Sequence, residues 1–291
     1  MQAIRPRRSV LYMPGSNARA MEKARAIPAD ALILDLEDAV APDAKEIARS
    51  QVCEAVAARG FGKREIVIRI NGLSTAWGEA DLVAAVAAKP DAILAPKIST
   101  LSDLHALEER LVRHHADASI ALWAMSETPL AILNIAALAG AGGRLACFVM
   151  GTNDLVKELR GQHTPDRANL ATALSLSVAA ARAHGLAAID GVFNDIQDVD
   201  GFARHCHQAR SFGFDGKTVI HPTQVDSCNT IFAPTAEDVA SARAVIAAFE
   251  LPENRGKGAI RLDGRMVELL HADIARRTVA LADAISELGK T

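Results

Sequence analysis

The chain lacks any apolar run long enough to span a bilayer, which takes about 20 residues, and it lacks a block of basic residues. Its formal net charge is −3 at pH 7. A nucleic-acid groove or an anionic membrane surface is therefore not expected. The four cysteines, Cys53, Cys147, Cys206 and Cys228, are far apart and form no C-x-x-C pair. That argues against a disulfide framework or a structural zinc site and fits a reducing cytoplasm. His205-Cys206-His207 looks like a ligand cluster, but neighbours in sequence point different ways on a helix, so an ordinary helix surface is expected there. Aromatic residues make up only 4%. The start, MQAIRPRRSVLYMPG, carries arginines before a short apolar segment that ends at Pro14-Gly15, and it reads as a first strand rather than a signal peptide.

What is present is aliphatic. Hydrophobic residues are 50% of 291, ample for a large core and typical of α/β folds. Eight short apolar runs recur: Ser9–Pro14, 31–38, 65–71, 92–97, 119–127, 146–154, 187–193 and 217–222. Helical stretches rich in alanine separate most of them, as at 45–59, 81–89, 101–115, 168–184 and 200–212. Strand and helix alternating eight times predict a (β/α)8 TIM barrel. The expected domains are residues 1–230, the barrel, and 231–291, a C-terminal helical extension and lid.

In such a barrel the active site lies at the C-terminal ends of the strands. Here those ends carry Glu37, Asp38, Arg69, Asn71, Lys97, Glu127, Asp154, Asp190 and His221. Like charges this dense must be paired or bound to a metal. Glu127 and Asp154 are the candidate ligands, because two hard oxygens suit Mg2+ and leave positions for substrate and water. The plainer reading is that each caps the helix that follows. Glu37 and Asp38 would hold metal-bound waters, although one of them can serve as a helix cap. Arg69, inside an apolar run, needs an anion: a substrate carboxylate, or Glu37 or Asp38 in a structural pair. Lys97 would neutralise the acidic cluster. Gly151, Thr152 and Asn153 offer backbone N–H groups for a carboxylate or oxyanion. His221 is either a proton carrier or a satisfied core histidine, and Asp190 reads as a hydrogen-bonding residue of the barrel interior.

The segments SVLYMPGS, ADALILDLEDAVAPDAK, IRINGLSTAWGEADL, APKIST, SETP, GTNDL, GLAAIDGVFNDIQDVDGF, GFDGKTVIHPTQV and DGRMVE follow one another over nearly the whole chain. In this order they resemble the citrate lyase β-subunit-like CoA-ester lyases, which include malyl-CoA and citramalyl-CoA lyases. The resemblance implies a barrel with a C-terminal lid, assembled as a homotrimer or hexamer. It also implies Mg2+ at Glu127 and Asp154, a substrate-binding arginine at Arg69, and a thioester carried by coenzyme A or an acyl carrier protein. Many of these lyases have a lid motif like DGxMxD, whose last aspartate reaches a neighbouring subunit as an acid/base; here that position is Glu268. The following LLHADIARR also lacks the proline expected soon after. The implied reaction is cleavage of a 3-hydroxyacyl-CoA to a 2-oxo acid and an acyl-CoA, with Glu268 reprotonating the enolate. Its alternatives are a malyl-CoA-type thioesterase, an aldolase of free 2-oxo-4-hydroxy acids, and a non-catalytic subunit.

Overall fold

Alternation within each strand supplies two buried faces. In the computed structural model, which describes residues 4–290, the strands are β1 (Ser9–Pro14), β2 (Ala31–Asp35), β3 (Glu65–Arg69), β4 (Ala92–Ala95), β5 (Ala121–Ser126), β6 (Leu145–Met150), β7 (Ala187–Asp190) and β8 (Gly216–Val219). All neighbours pair in parallel, and β8 returns to β1 to close the barrel. One set of alternate residues, including Val10, Ile33, Val67, Leu94, Trp123 and Val149, fills the interior. The residues between them, such as Leu32, Leu34, Ile68, Ile93 and Phe148, are buried as well. Helices cover that outer face, so these strands read as continuous apolar runs.

Those helices are α1 (Ala18–Ala24), α2 (Lys45–Ala57), α3 (Gly78–Ala88), α4 (Leu101–Arg113), α5 (Pro129–Leu133), α6 (Ile135–Ala139), α7 (Thr152–Glu158), α8 (Ala171–Ala183), α9 (Val199–Phe212) and α10 (Val225–Phe232). Their starts are written locally. Thr100 caps α4 with Asp103 in a reciprocal box, and Thr128 caps α5 ahead of Pro129, a proline placed where its missing N–H costs nothing. At the N-terminal end of the barrel the Arg7 guanidinium stacks over Trp123 at 5.2 Å and bonds both oxygens of Glu65.

Among the described residues, 7–230 form one compact unit, and 4–6 with 231–290 form another. The second unit contains α11 (Ala236–Glu250), the antiparallel strands β9 (Ala259–Leu262) and β10 (Arg265–Glu268), and α12 (Leu269–Leu288). Its small core joins Ala248, Phe249, Ile260 and Ala272. The sequence reading expected a helical extension; the hairpin is an addition to it. Asp263 and Gly264, both at positive φ, make its tight turn, the backbone a two-residue hairpin requires.

Several strands are shorter than the apolar runs. Glu37 and Asp38 lie in the turn after β2, and Asp154 lies in the first turn of α7 rather than at a strand end. The His205-Cys206-His207 stretch on α9 is less superficial than expected, because Cys206 is fully buried. His205 packs edge-on against Phe193 at 4.6 Å, and burial lowers its affinity for a proton to a pKa of about 4.

Candidate active site

Neighbouring strand ends place Asp35 beside Arg69, its partner in register across β2 and β3. The Arg69 Nε and Nη2 each donate to an Asp35 oxygen at 2.6 Å, the two-pronged geometry that suits guanidinium and carboxylate. Nη1 lies 2.9 Å from Glu37 and 3.5 Å from Asp38. Arg69 is thus held by the acids around it, and the pairing expected with Glu37 or Asp38 is real but secondary to Asp35. Asp35 also accepts the N–H groups of Glu37 and Ala39, which shapes the β2 turn. Lys45 Nζ tightens the same turn by donating to the carbonyls of Leu36 and Glu37 and to Asn71 Oδ1. Sequence reasoning missed Asp35 and Lys45. Asp35 stands in LDLED among other acids, and only strand register singles it out.

Glu127 follows β5. Its Oε1 accepts the backbone N–H of Lys97 at 2.7 Å, and Oε2 takes no hydrogen bond from a described residue. Lys97 has φ 55°, a left-handed conformation costly for a side chain. Such strain persists only where the surroundings over-determine it, and here it accompanies the N–H bond to Glu127. Lys97 Nζ reaches Asp154 at 3.5 Å, as expected of a neutralising residue. Across from Glu127, Gly151 leaves no room for a side chain: a Cβ there would overlap Glu127 Cβ and stand 2.6 Å from Oε2. The Gly151 N–H is bonded to the Ser126 carbonyl at 3.1 Å. Of the three backbone donors expected, Gly151 is therefore spent on the chain itself, while Thr152 and Asn153 open α7, where first-turn N–H groups lack helical partners.

A cavity of about 300 Å³ opens at this end, lined among others by Tyr12, Asp35, Asp38, Arg69, Glu127, Gly151, Thr152, Asn153 and Asp154. Burial pushes the Glu37 carboxyl up to about 8, despite the pull of Arg69, with Asp38, Glu127 and Asp35 adding to the rise. Burial likewise raises Glu127, opposed by the Lys97 N–H and charge. For Lys97 burial works against its charge, but Glu127 and Asp154 hold its ammonium above the usual lysine value. The mouth thus has more carboxylate than its cations can satisfy. An all-oxygen donor set with this excess of negative charge fits a hard divalent cation, which needs only one or two protein carboxylates when substrate and water complete its shell.

Other sequence candidates lie elsewhere. His221 caps the short turn Pro222–Gln224 and is hydrogen-bonded to Thr223, and it is not among the residues lining the cavity. Asp190 is fully buried and accepts from Arg167 Nη1 and from Lys217 Nζ. Arg167, which reaches in from the segment after α7, gave no sign in the sequence. Glu268 stands at the N-cap of α12, and its backbone N–H donates to His271 Nδ1 at 3.0 Å.

The family model described as HpcH/HpaI aldolase/citrate lyase matches residues 8–222. The chain belongs to that family. The HpcH/HpaI member described here is 46% identical over 284 residues to a (3S)-malyl-CoA thioesterase of Cereibacter sphaeroides, covering 98% of this chain and 97% of that one. It is 35% identical to the citrate lyase subunit beta of Escherichia coli K12, over 96% and 94% of the two chains. The structure of protein CitE from Mycobacterium tuberculosis, in complex with magnesium, acetoacetate and coenzyme A, matches with a TM-score of 0.75 at 29% identity, covering 96% of this chain and 99% of that one.

Proposed function

We propose that this family member is a magnesium-dependent enzyme acting on the coenzyme A thioester of a 3-hydroxy acid of the malyl-CoA class, and that it hydrolyses the thioester. The observation that carries the substrate class is the cavity in which Glu127 and Asp154 stand with the buried, acid-held Arg69. Glu127 and Asp154 would hold the ion, with Glu37 and Asp38 placed to hold its waters. When bound, the ion supplies a Lewis acid for a hydroxyl and the neighbouring carboxylate. Arg69 brings positive charge to that carboxylate, and Lys97 holds Glu127 through its N–H. Hydrolysis adds water across the thioester carbonyl, breaks the C–S bond and releases the thiol with a proton.

One finding favours hydrolysis over the carbon–carbon cleavage expected from the sequence. The 46% identity to a malyl-CoA thioesterase runs the full length. The lyase remains the second reading, supported by the 35% identity to a citrate lyase subunit beta. In that reading the products are a 2-oxo acid and an acyl-CoA, and Glu268 acts on a neighbouring subunit. Either reading takes the working form to be a cytoplasmic homotrimer or hexamer.

The test incubates purified protein and magnesium with malyl-CoA, citramalyl-CoA and citryl-CoA, measuring free thiol and 2-oxo acid together. Thiol without oxo acid, abolished by Glu127→Ala, is the expected result. Oxo acid without thiol moves the assignment to the lyase. Silence with every thioester sinks both readings.

A further inference from the structure

Tyr12 is the single tyrosine of the chain. It stands on β1, two residues after Val10, so its side chain shares the inward face of the strand and packs on the barrel interior. The ring lies 4.8 Å from the Arg69 guanidinium and lines the cavity. No described residue hydrogen-bonds its hydroxyl. Tyr12 is half-buried and its hydroxyl is not among the buried atoms left without a partner, so it is open to solvent or a ligand at the cavity it lines.

Several neighbouring polar groups are already engaged. Asp35 and Arg69 hold each other, Glu127 accepts from Lys97, and Asn153 and Asn194 exchange side-chain hydrogen bonds. Burial raises the phenol's hold on its proton, opposing the effect of Arg69 and aided by Asp35 and Glu127. Tyr12 is therefore a neutral donor in a mouth where ionised carboxylates can only accept.

Both readings of the reaction put negative charge on the thioester oxygen, as a tetrahedral oxyanion in hydrolysis or an enolate in carbon–carbon cleavage. The metal chelate would occupy the substrate's hydroxyl and carboxylate, so the thioester oxygen needs a donor of its own. The Gly151 N–H is bonded to Ser126, which leaves the Thr152 and Asn153 N–H groups of α7 and the Tyr12 hydroxyl as the donors at the cavity. We propose that the Tyr12 hydroxyl donates a hydrogen bond to the thioester carbonyl oxygen as that oxygen gains negative charge. This rests on the thioester reading above and holds for either bond that breaks.

Tyr12→Phe tests it, because phenylalanine keeps the ring against Arg69 and removes only the hydroxyl. The expected result is a fall in kcat of about 100-fold, with KM changed by no more than about threefold. Tyr12→Leu, which removes the ring too, should also raise KM. A Tyr12→Phe enzyme with wild-type kcat makes Tyr12 a stacking residue alone and overturns the proposal, and so does a rise in KM with kcat unchanged. A second readout uses the single tyrosine. In protein labelled with [ζ-13C]tyrosine, the one signal should move when a non-cleavable thioether analogue that retains the acyl carbonyl of malyl-CoA is added with magnesium. A stationary signal on saturation overturns it. Wild-type protein inert toward every thioester overturns the functional reading and Tyr12's role together. Active wild type with an unaffected Tyr12→Phe overturns only the latter.

Discussion

Glu37 is nearly buried, and no described hydrogen bond reaches its Oε2 although Arg69 Nη1 lies 2.9 Å away. Its carboxyl is raised from 4.5 to about 8, mainly by burial. The folded protein then binds this proton more tightly than the unfolded chain does. The contribution is complete below about pH 4.5 and is lost as pH rises toward 8. In metal-free protein, stability should fall over that interval by on the order of 5 kcal/mol from this group. Glu37→Gln, neutral at every pH, should flatten the profile and leave the variant more stable than wild type at pH 8.5. Urea unfolding from pH 5 to pH 9 measures both. Parallel profiles would show that Glu37 ionises freely.

At the scale of elements, barrel closure depends on how closely β8 approaches the chain entering β1. Gly216 begins β8, and a Cβ on it would overlap the Arg7 carbonyl oxygen and stand 2.5 Å from that of Arg8. These are backbone atoms, and the Arg8 oxygen accepts the Lys217 N–H at 3.0 Å, so the neighbour cannot yield without breaking the seam. Gly216→Ala should cost at least about 3 kcal/mol, the upper range for an overpacked site. The measurement is its chemical unfolding midpoint against wild type; an unchanged midpoint would mean that the β1–β8 seam can slide. The eight elements themselves were legible in the sequence because each strand is buried on both faces. Their C-terminal limits were not. The apolar runs continue into Leu36 and Ile70, which are buried just past the strand ends, and burial there leaves the same apolar signature as burial in a strand.

Taken as a whole, the unit of residues 7–230 collects its acids at one end of the barrel and leaves part of their charge uncompensated. On the magnesium reading proposed above, a divalent cation bound only in the folded state stabilises the fold. Magnesium at 100 times its Kd should add about 2.7 kcal/mol, or on the order of 5 °C in Tm for a chain of this size. Calorimetry with magnesium and then with excess chelator checks this. The shift should reverse with chelator and be absent in Glu127→Ala, and a shift of equal size in that variant would move the ion away from Glu127.

The sequence by itself determined the alternation that makes the barrel and the polar residues gathered at its C-terminal strand ends. Both are local signals, set by side-chain period and by the cost of clustering acids. It also carried the family, through motifs spread over the whole chain. The tertiary structure alone decided the partnerships. Asp35 reaches Arg69 across 34 residues, Arg167 and Lys217 converge on Asp190, and the Gly151 N–H goes to Ser126 instead of to a ligand. Charge and hydrogen-bond pairing depend on distances between strands that are remote in sequence. Strand register and closure fix those distances, and no single stretch of sequence encodes them.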